Sequence, residues 1–197
     1  MTSREKILTA VKSNQPSLQQ LPVLEQAGAV HYEDKLLQFT SVLKTIGGTV
    51  ITINDTNEII EYVKNNFSHH QNFVTTLRQL DGIEKLDENL DPHILENIEV
   101  AIVKVLFGVA ENGAVWLTDD AMKIRALPFI CQHLVVLLNR NDVVNNMHEA
   151  YDLIGNSAYG FGVFIAGPSK TADIEQSLVL GAHGPKTMTV FIHDKQL

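Results

Sequence analysis

Gly160-Phe161-Gly162-Val163-Phe164-Ile165-Ala166, followed at once by Gly167-Pro168-Ser169-Lys170-Thr171-Ala172-Asp173-Ile174-Glu175, is the stretch that decides the fold. Its first seven residues are a short apolar run bounded by glycines, the pattern of a buried strand. Gly-Pro breaks the run. Ser169 or Thr171 then predicts the cap of a short helix, with Asp173 and Glu175 in its first turns, where carboxylates suit the helix dipole. Downstream, Gly181-Ala182-His183-Gly184-Pro185 makes a second break. Residues 187–192 then alternate, rich in β-branched and aromatic types, as a last strand. Strand, tight turn and helix N-terminus in succession is where open α/β sheets usually hold their ligands. The same residue types also serve purely local turn and cap chemistry.

Outward from this stretch, strands alternate with helices. Residues 2–13 predict an amphipathic helix carrying Ile7, Leu8 and Val11, and a polar connector runs on to Pro22. Residues 31–46 repeat apolar positions at helical spacing and stop at Gly47-Gly48. Strands are expected at 49–53, 72–76, 98–107, 114–117 and 133–138. Helices are expected from Asp55 or Thr56 to Phe67, and from a cap at Asn141 or Asp142 to Ile154. Asn112-Gly113 is a tight turn between two apolar strands. The alternation predicts a three-layer α/β/α architecture with a mixed, mostly parallel sheet, the antiparallel part coming from that hairpin. Two units are expected, an N-terminal helix and connector over 1–30 and an α/β domain over 31–197.

Composition narrows the function. At 197 residues, 45% hydrophobic and 19% charged, the chain suits one sizeable soluble domain. No apolar stretch has the length of a membrane span, and the N-terminus lacks a signal-peptide core, so a cytoplasmic location is expected. A formal charge of −8 opposes nucleic-acid binding and favours a small-molecule or protein partner. The single cysteine, Cys131, excludes an internal disulfide and cannot alone hold an iron–sulfur cluster; its apolar neighbours predict burial. His69-His70 points to no metal, because adjacent side chains diverge, and no other spacing here is diagnostic of one.

Glu111 interrupts an apolar region beside Asn112-Gly113. If desolvated there, its pKa rises and it becomes a candidate general base or carboxylate nucleophile; otherwise it flanks the turn and faces water. Arg125, with its planar fork, pairs with an anionic ligand, with Glu111 or with a surface acid. His133 opens a strand, as a core histidine or near a ligand. His183 has room beside it because its neighbours include glycines.

Ala110-Glu111-Asn112-Gly113, Arg125 with Leu127-Pro128, His133, the Gly167–Glu175 string and Gly181-Ala182-His183-Gly184-Pro185 occur in that order. In this the chain resembles the LUD-domain family, of the lactate utilization protein C (LutC/YkgG) type, from about residue 31 onward. The resemblance implies a fold similar to the NagB/RpiA/CoA-transferase-like fold. It also implies a part in oxidising L-lactate to pyruvate beside iron–sulfur partner proteins, with no cofactor in this chain. One departure is Asn112, where the family usually carries a small hydroxylated residue. The short Glu-Asn-Gly string is also similar to the nucleophile turn of CoA transferases, so an acyl-transferring or sugar-phosphate enzyme using Glu111 is an alternative, as is a non-catalytic scaffold. On the favoured reading a cleft holds a small anionic metabolite. Glu111, Asp173 and His183 are its catalytic candidates. Asn112, Gly113, Arg125, Gly167, Ser169, Lys170, Thr171 and Gly184 are its binding candidates. The N-terminal arm packs on its own body or on another subunit, which leaves a homo-oligomer open.

Overall fold

The computed structural model describes residues 2–19, 29–69, 72–172 and 178–194. Helix α1 (Ser3–Ser13) is closed at its start by Thr2 and Glu5, which exchange side-chain and backbone hydrogen bonds across the first turn. Helix α2 (Lys35–Thr45) is capped by Asp34 and leads through Gly47-Gly48 into β1 (Thr49–Ile53). Helix α3 (Asn57–Asn66) follows, then the short strands β2 (Phe73–Thr75) and β3 (Glu84–Lys85), with a 3-10 turn over Pro92–Asn97. Next come β4 (Val100–Lys104), β5 (Phe107–Val109), β6 (Val115–Thr118), α4 (Asp119–Met122) and α5 (Leu127–Ile130). The chain continues through β7 (His133–Asn139), β8 (Val143–Val144), α6 (Met147–Ile154) and β9 (Gly162–Ile165). It ends with β10 (Lys170–Ala172), β11 (Leu178–Leu180) and β12 (Thr187–His193).

Six strands form the central sheet in the order β1-β12-β7-β4-β2-β3, every pair parallel. Both faces are covered, so β4, β7 and β12 read as near-continuous apolar runs. Their period of two still sorts the core. Ala101, Val103, Leu134, Val136 and Val190 face one cluster, which includes Phe39 and Leu43 of α2. Val100, Ile102, Val135, Leu137 and Phe191 face the other, which takes Ile59, Ile60 and Val63 of α3.

The α/β architecture with a mostly parallel sheet is as expected, with one elaboration. The antiparallel hairpin β5–β6 belongs to a second sheet, ordered β8-β5-β6-β9. This sheet buries Val115 and Leu117 against the central core and turns Phe107, Val109 and Trp116 toward Ala150 and Ile154 of α6. One outer layer is therefore α2 together with a small sheet backed by α6.

Four expectations fail. The single strand expected over 98–107 divides into β4, in the central sheet, and β5, in the second. The strand expected to be buried over 160–166 is β9, half-buried and part of the second sheet. Residues 170–172 are not the start of a helix but pair antiparallel with 178–180. Cap-type residues satisfy turns equally well, and here Ser169 N–H donates to Pro185 O while Gly181 N–H donates to Ser169 O. Helix α6 begins later than expected: Asn146, not Asn141 or Asp142, is the cap, its Oδ1 accepting from Glu149 N. Residues 143–144 are used first as β8 beside β5.

Candidate functional site

Part of the family-like motif set, His133, Ser169, His183 and Gly184, gathers around the amino-terminal edge of the central sheet. Strands β7 and β12 start together, with His133 opposite Thr187, so the residues just before each become neighbours. Lys186 N–H donates to Gln132 O at 2.7 Å, and Lys186 Nζ donates to Gln132 Oε1 at 3.0 Å. His133 is a packing residue here: its Nδ1 lies 2.8 Å from Thr187 Oγ1, and its ring stacks obliquely on Phe67. A small hollow of about 240 Å³ is lined by Phe129, Cys131, Gln132, His183, Gly184 and Lys186. Ser169 closes on the same bend, since a side chain at Gly184 would stand 3.1 Å from Ser169 Cβ. The structure thus brings Ser169, His183 and Gly184 together.

The hairpin approaches this region through the end of α2. Gly113 and Gly167 have φ of +69° and +70°, which an L side chain adopts only at a cost, and both abut Ile46. A Cβ on Gly113 would stand 3.1 Å from Leu43 backbone, and one on Gly167 3.1 Å from Ile46 O. Lys170 is exposed, with Nζ beside Gly47 at the C-terminal end of α2, where a cation complements the helix dipole. Thr171 is half-buried in β10.

Glu111 and its turn serve local structure. Glu111 is exposed, not desolvated, because its side chain leaves the hairpin toward the start of α6, where Oε2 accepts from Met147 N at 2.9 Å. Its own N–H donates to Asn145 O. Asn112 Oδ1 accepts from Ala114 N, shaping the turn. Asn145 joins three segments. It accepts from Tyr32 N through Oδ1, and its Nδ2 and N–H donate to Glu149. Burial raises the Glu149 pKa, but the Asn145 hydrogen bonds and the charges of His31 and Lys35 outweigh it and hold the carboxyl below its ordinary value.

Arg125 stands apart from the hairpin acid. Strands β6 and β9 run antiparallel, with Val115 opposite Ile165 and Thr118 opposite Gly162. Gly113 and Gly167 lie beyond one end of this pair, Arg125 beyond the other, about 10 Å along the strands. The guanidinium pairs with Asp119 Oδ2 at 3.2 Å and lies over the Phe161 ring. A surface acid, not Glu111, is its partner. Asp173 lies outside the described residues. Cys131 is 1% exposed, and burial pushes its thiol up to about 12, so it stays a neutral packing group. Among the described residues no group of three or more His, Cys, Asp or Glu is arranged to hold a metal ion, and no helix is long and apolar enough to cross a membrane.

Sequence reasoning missed the opposite edge. At the carboxyl ends of β2, β4 and β7 lies a cleft of about 740 Å³, lined among others by Arg78, Lys104, Thr118, Asp120, Asn139 and Asp142. A second lobe of about 420 Å³ shares Leu106, Thr118, Asp120 and Asp142 with it. Phe107, Trp116, Ile154 and Tyr159 wall that lobe. The signal was available, because parallel sheets bind ligands beyond their carboxyl ends and these residues follow the strands. Residues 167–185 carry a denser set of chemical groups in the sequence, which masks that signal.

A family model described as the LUD domain matches residues 36–193. Lactate utilization protein C of Shouchella clausii is 27% identical over 180 residues, covering 87% of this chain and 77% of that protein. The protein of that name from Geobacillus sp. is 28% identical over 208 residues, covering 96% and 79%. The one from Bacillus pumilus is 29% identical over 133 residues, where the match spans 64% of this chain and 54% of that protein. A crystal structure of a DUF162 family protein from Deinococcus radiodurans superposes with a TM-score of 0.65 at 14% identity, covering 84% of this chain and 99% of that one; it shows the shared fold. With its whole α/β body inside the matched span, the chain belongs to the LUD-domain family.

Proposed function

We propose that this chain is a component of an L-lactate utilization system, working with iron–sulfur proteins that carry the electrons. One observation carries the reading: relatives called lactate utilization protein C align along most of this chain, through the α/β body. The iron–sulfur partners are what the family resemblance implies. Oxidising a hydroxy acid to a keto acid releases two electrons, and one buried, neutral cysteine cannot hold a cluster to receive them. A small anionic metabolite sits at the Ser169–Lys186 bend, where the Lys186 ammonium supplies positive charge, the His183 ring lines the hollow and glycines open the backbone. Glu111 handles a proton in this reading, and what supports it is the place of its hairpin, whose Gly113 shares Ile46 as a neighbour with Gly167 of the bend.

Complementation tests the proposal. A strain lacking the gene is expected to lose growth on L-lactate and to regain it with the wild-type chain. Supplying His183→Ala restores growth poorly, and Glu111→Gln likewise. Full rescue by both variants removes the bend and the hairpin acid from the chemistry and leaves a docking role among the iron–sulfur proteins.

A further inference from the structure

The carboxyl-edge cleft has an internal order that the lactate reading does not use. Arg78 and Lys104 border its first lobe and are its two cations among the described residues; the hollow that Arg78 also borders balances Lys85 and Lys123 with Asp87 and Glu88, Lys123 pairing with Glu88 at 3.5 Å. At the neck between the lobes stand two carboxylates, Asp120 and Asp142, which line both. Asn139, in the first lobe, is 7% exposed; its Nδ2 donates to Asp142 Oδ2 at 2.7 Å. Its Oδ1 is buried with no hydrogen-bond partner. An orphaned buried acceptor costs free energy until a donor reaches it. Beyond the neck the wall turns aromatic. Trp116 and Tyr159 meet edge to face at 5.7 Å, and Leu106, Leu153 and Tyr159 keep large apolar areas open to solvent at the rim.

Along the cleft the sequence is thus cation, hydroxyl-seeking acceptor, aromatic wall. A carboxylate and an amide oxygen at the neck repel an anion but accept from hydroxyl groups. Lactate, a carboxylate with one hydroxyl, leaves the aromatic zone without a partner. We propose that this cleft binds a nucleotide: phosphate at Arg78 and Lys104, ribose hydroxyls at Asp120, Asp142 and Asn139 Oδ1, and the planar base against Trp116 and Tyr159. Volumes of about 740 and 420 Å³ in connected lobes fall in the range of cofactor pockets. The inference stands apart from the lactate reading, and either can fail alone.

Trp116 is the only tryptophan, so its fluorescence reports on the second lobe directly. Titration of the full chain with ADP and with NAD⁺ is expected to quench it saturably, while inorganic phosphate and ribose 5-phosphate leave it unchanged. Arg78→Ala and Asp120→Ala, both at exposed positions, each weaken ADP binding about tenfold, as lost charged hydrogen bonds do. No saturable change with either nucleotide up to millimolar concentration overturns the proposal. So does ADP binding that both substitutions leave intact. Ribose 5-phosphate binding as tightly as ADP, by calorimetry, also overturns it, since the aromatic wall then contributes nothing.

Discussion

Gly113 and Gly167 meet at Ile46, and each combines a positive φ with a neighbour too close for a side chain. Replacing either by Ala is expected to destabilise the protein by about 1–3 kcal/mol, from backbone strain and the displaced α2 end. Chemical denaturation checks it; a loss under about 0.5 kcal/mol at both positions contradicts the packing described. Cys131, with its thiol pushed up to about 12, is expected to resist iodoacetamide at pH 8 until the chain unfolds. Rapid alkylation of the native protein, followed by mass spectrometry, contradicts its burial. At this scale the sequence showed chemistry better than environment. The Asn112-Gly113 turn and the burial of Cys131 were legible from neighbours in the chain. The exposure of Glu111 was not, because its partner, Met147 N, is 36 residues away.

Helix α6 depends on two caps from different parts of the chain, Asn146 at its own start and Glu111 from the hairpin. Asn146→Ala is expected to cost about 1 kcal/mol, measurable by urea unfolding. Its first turn carries the pH response. Glu149 has a folded pKa below its ordinary value of 4.5, so its contribution is fully present above that value. The contribution is lost as pH falls through the folded value. Stability therefore drops on the acid side, and Glu149→Gln is expected to flatten that drop below about pH 4.5 while costing stability at pH 7. Identical acid limbs for the two proteins contradict the Asn145–Glu149 network. Elements with their own periodicity, such as α2, α3, β7 and β12, were legible in the sequence. The hairpin of 170–172 with 178–180 was not, because Ser169 and Thr171 suit a helix cap and a turn alike, and only the distant Pro185 carbonyl decides between them.

For the molecule as a whole, the two candidate regions lie at opposite edges of one parallel sheet. The amino edge gathers Ser169, His183 and Gly184, and the carboxyl edge opens the two-lobed cleft. Arg125 belongs to neither. The parallel sheet was legible from strand–helix alternation, but the second sheet was not, since antiparallel pairing in a hairpin says nothing of which layer it joins. Helix α1 buries no residue, and Ile7, Leu8 and Val11 are all more than half exposed. Removing residues 2–19 is therefore expected to shift Tm by less than about 2 °C; a larger fall shows that the arm packs on the body or a second copy. The most direct measurement is the rate at which intact cells consume L-lactate as sole carbon source, with and without this gene. The account predicts that consumption stops in the deleted strain while glucose consumption is unchanged, and that the plasmid-borne chain restores it. Lactate consumption at the undiminished rate in the deleted strain contradicts it.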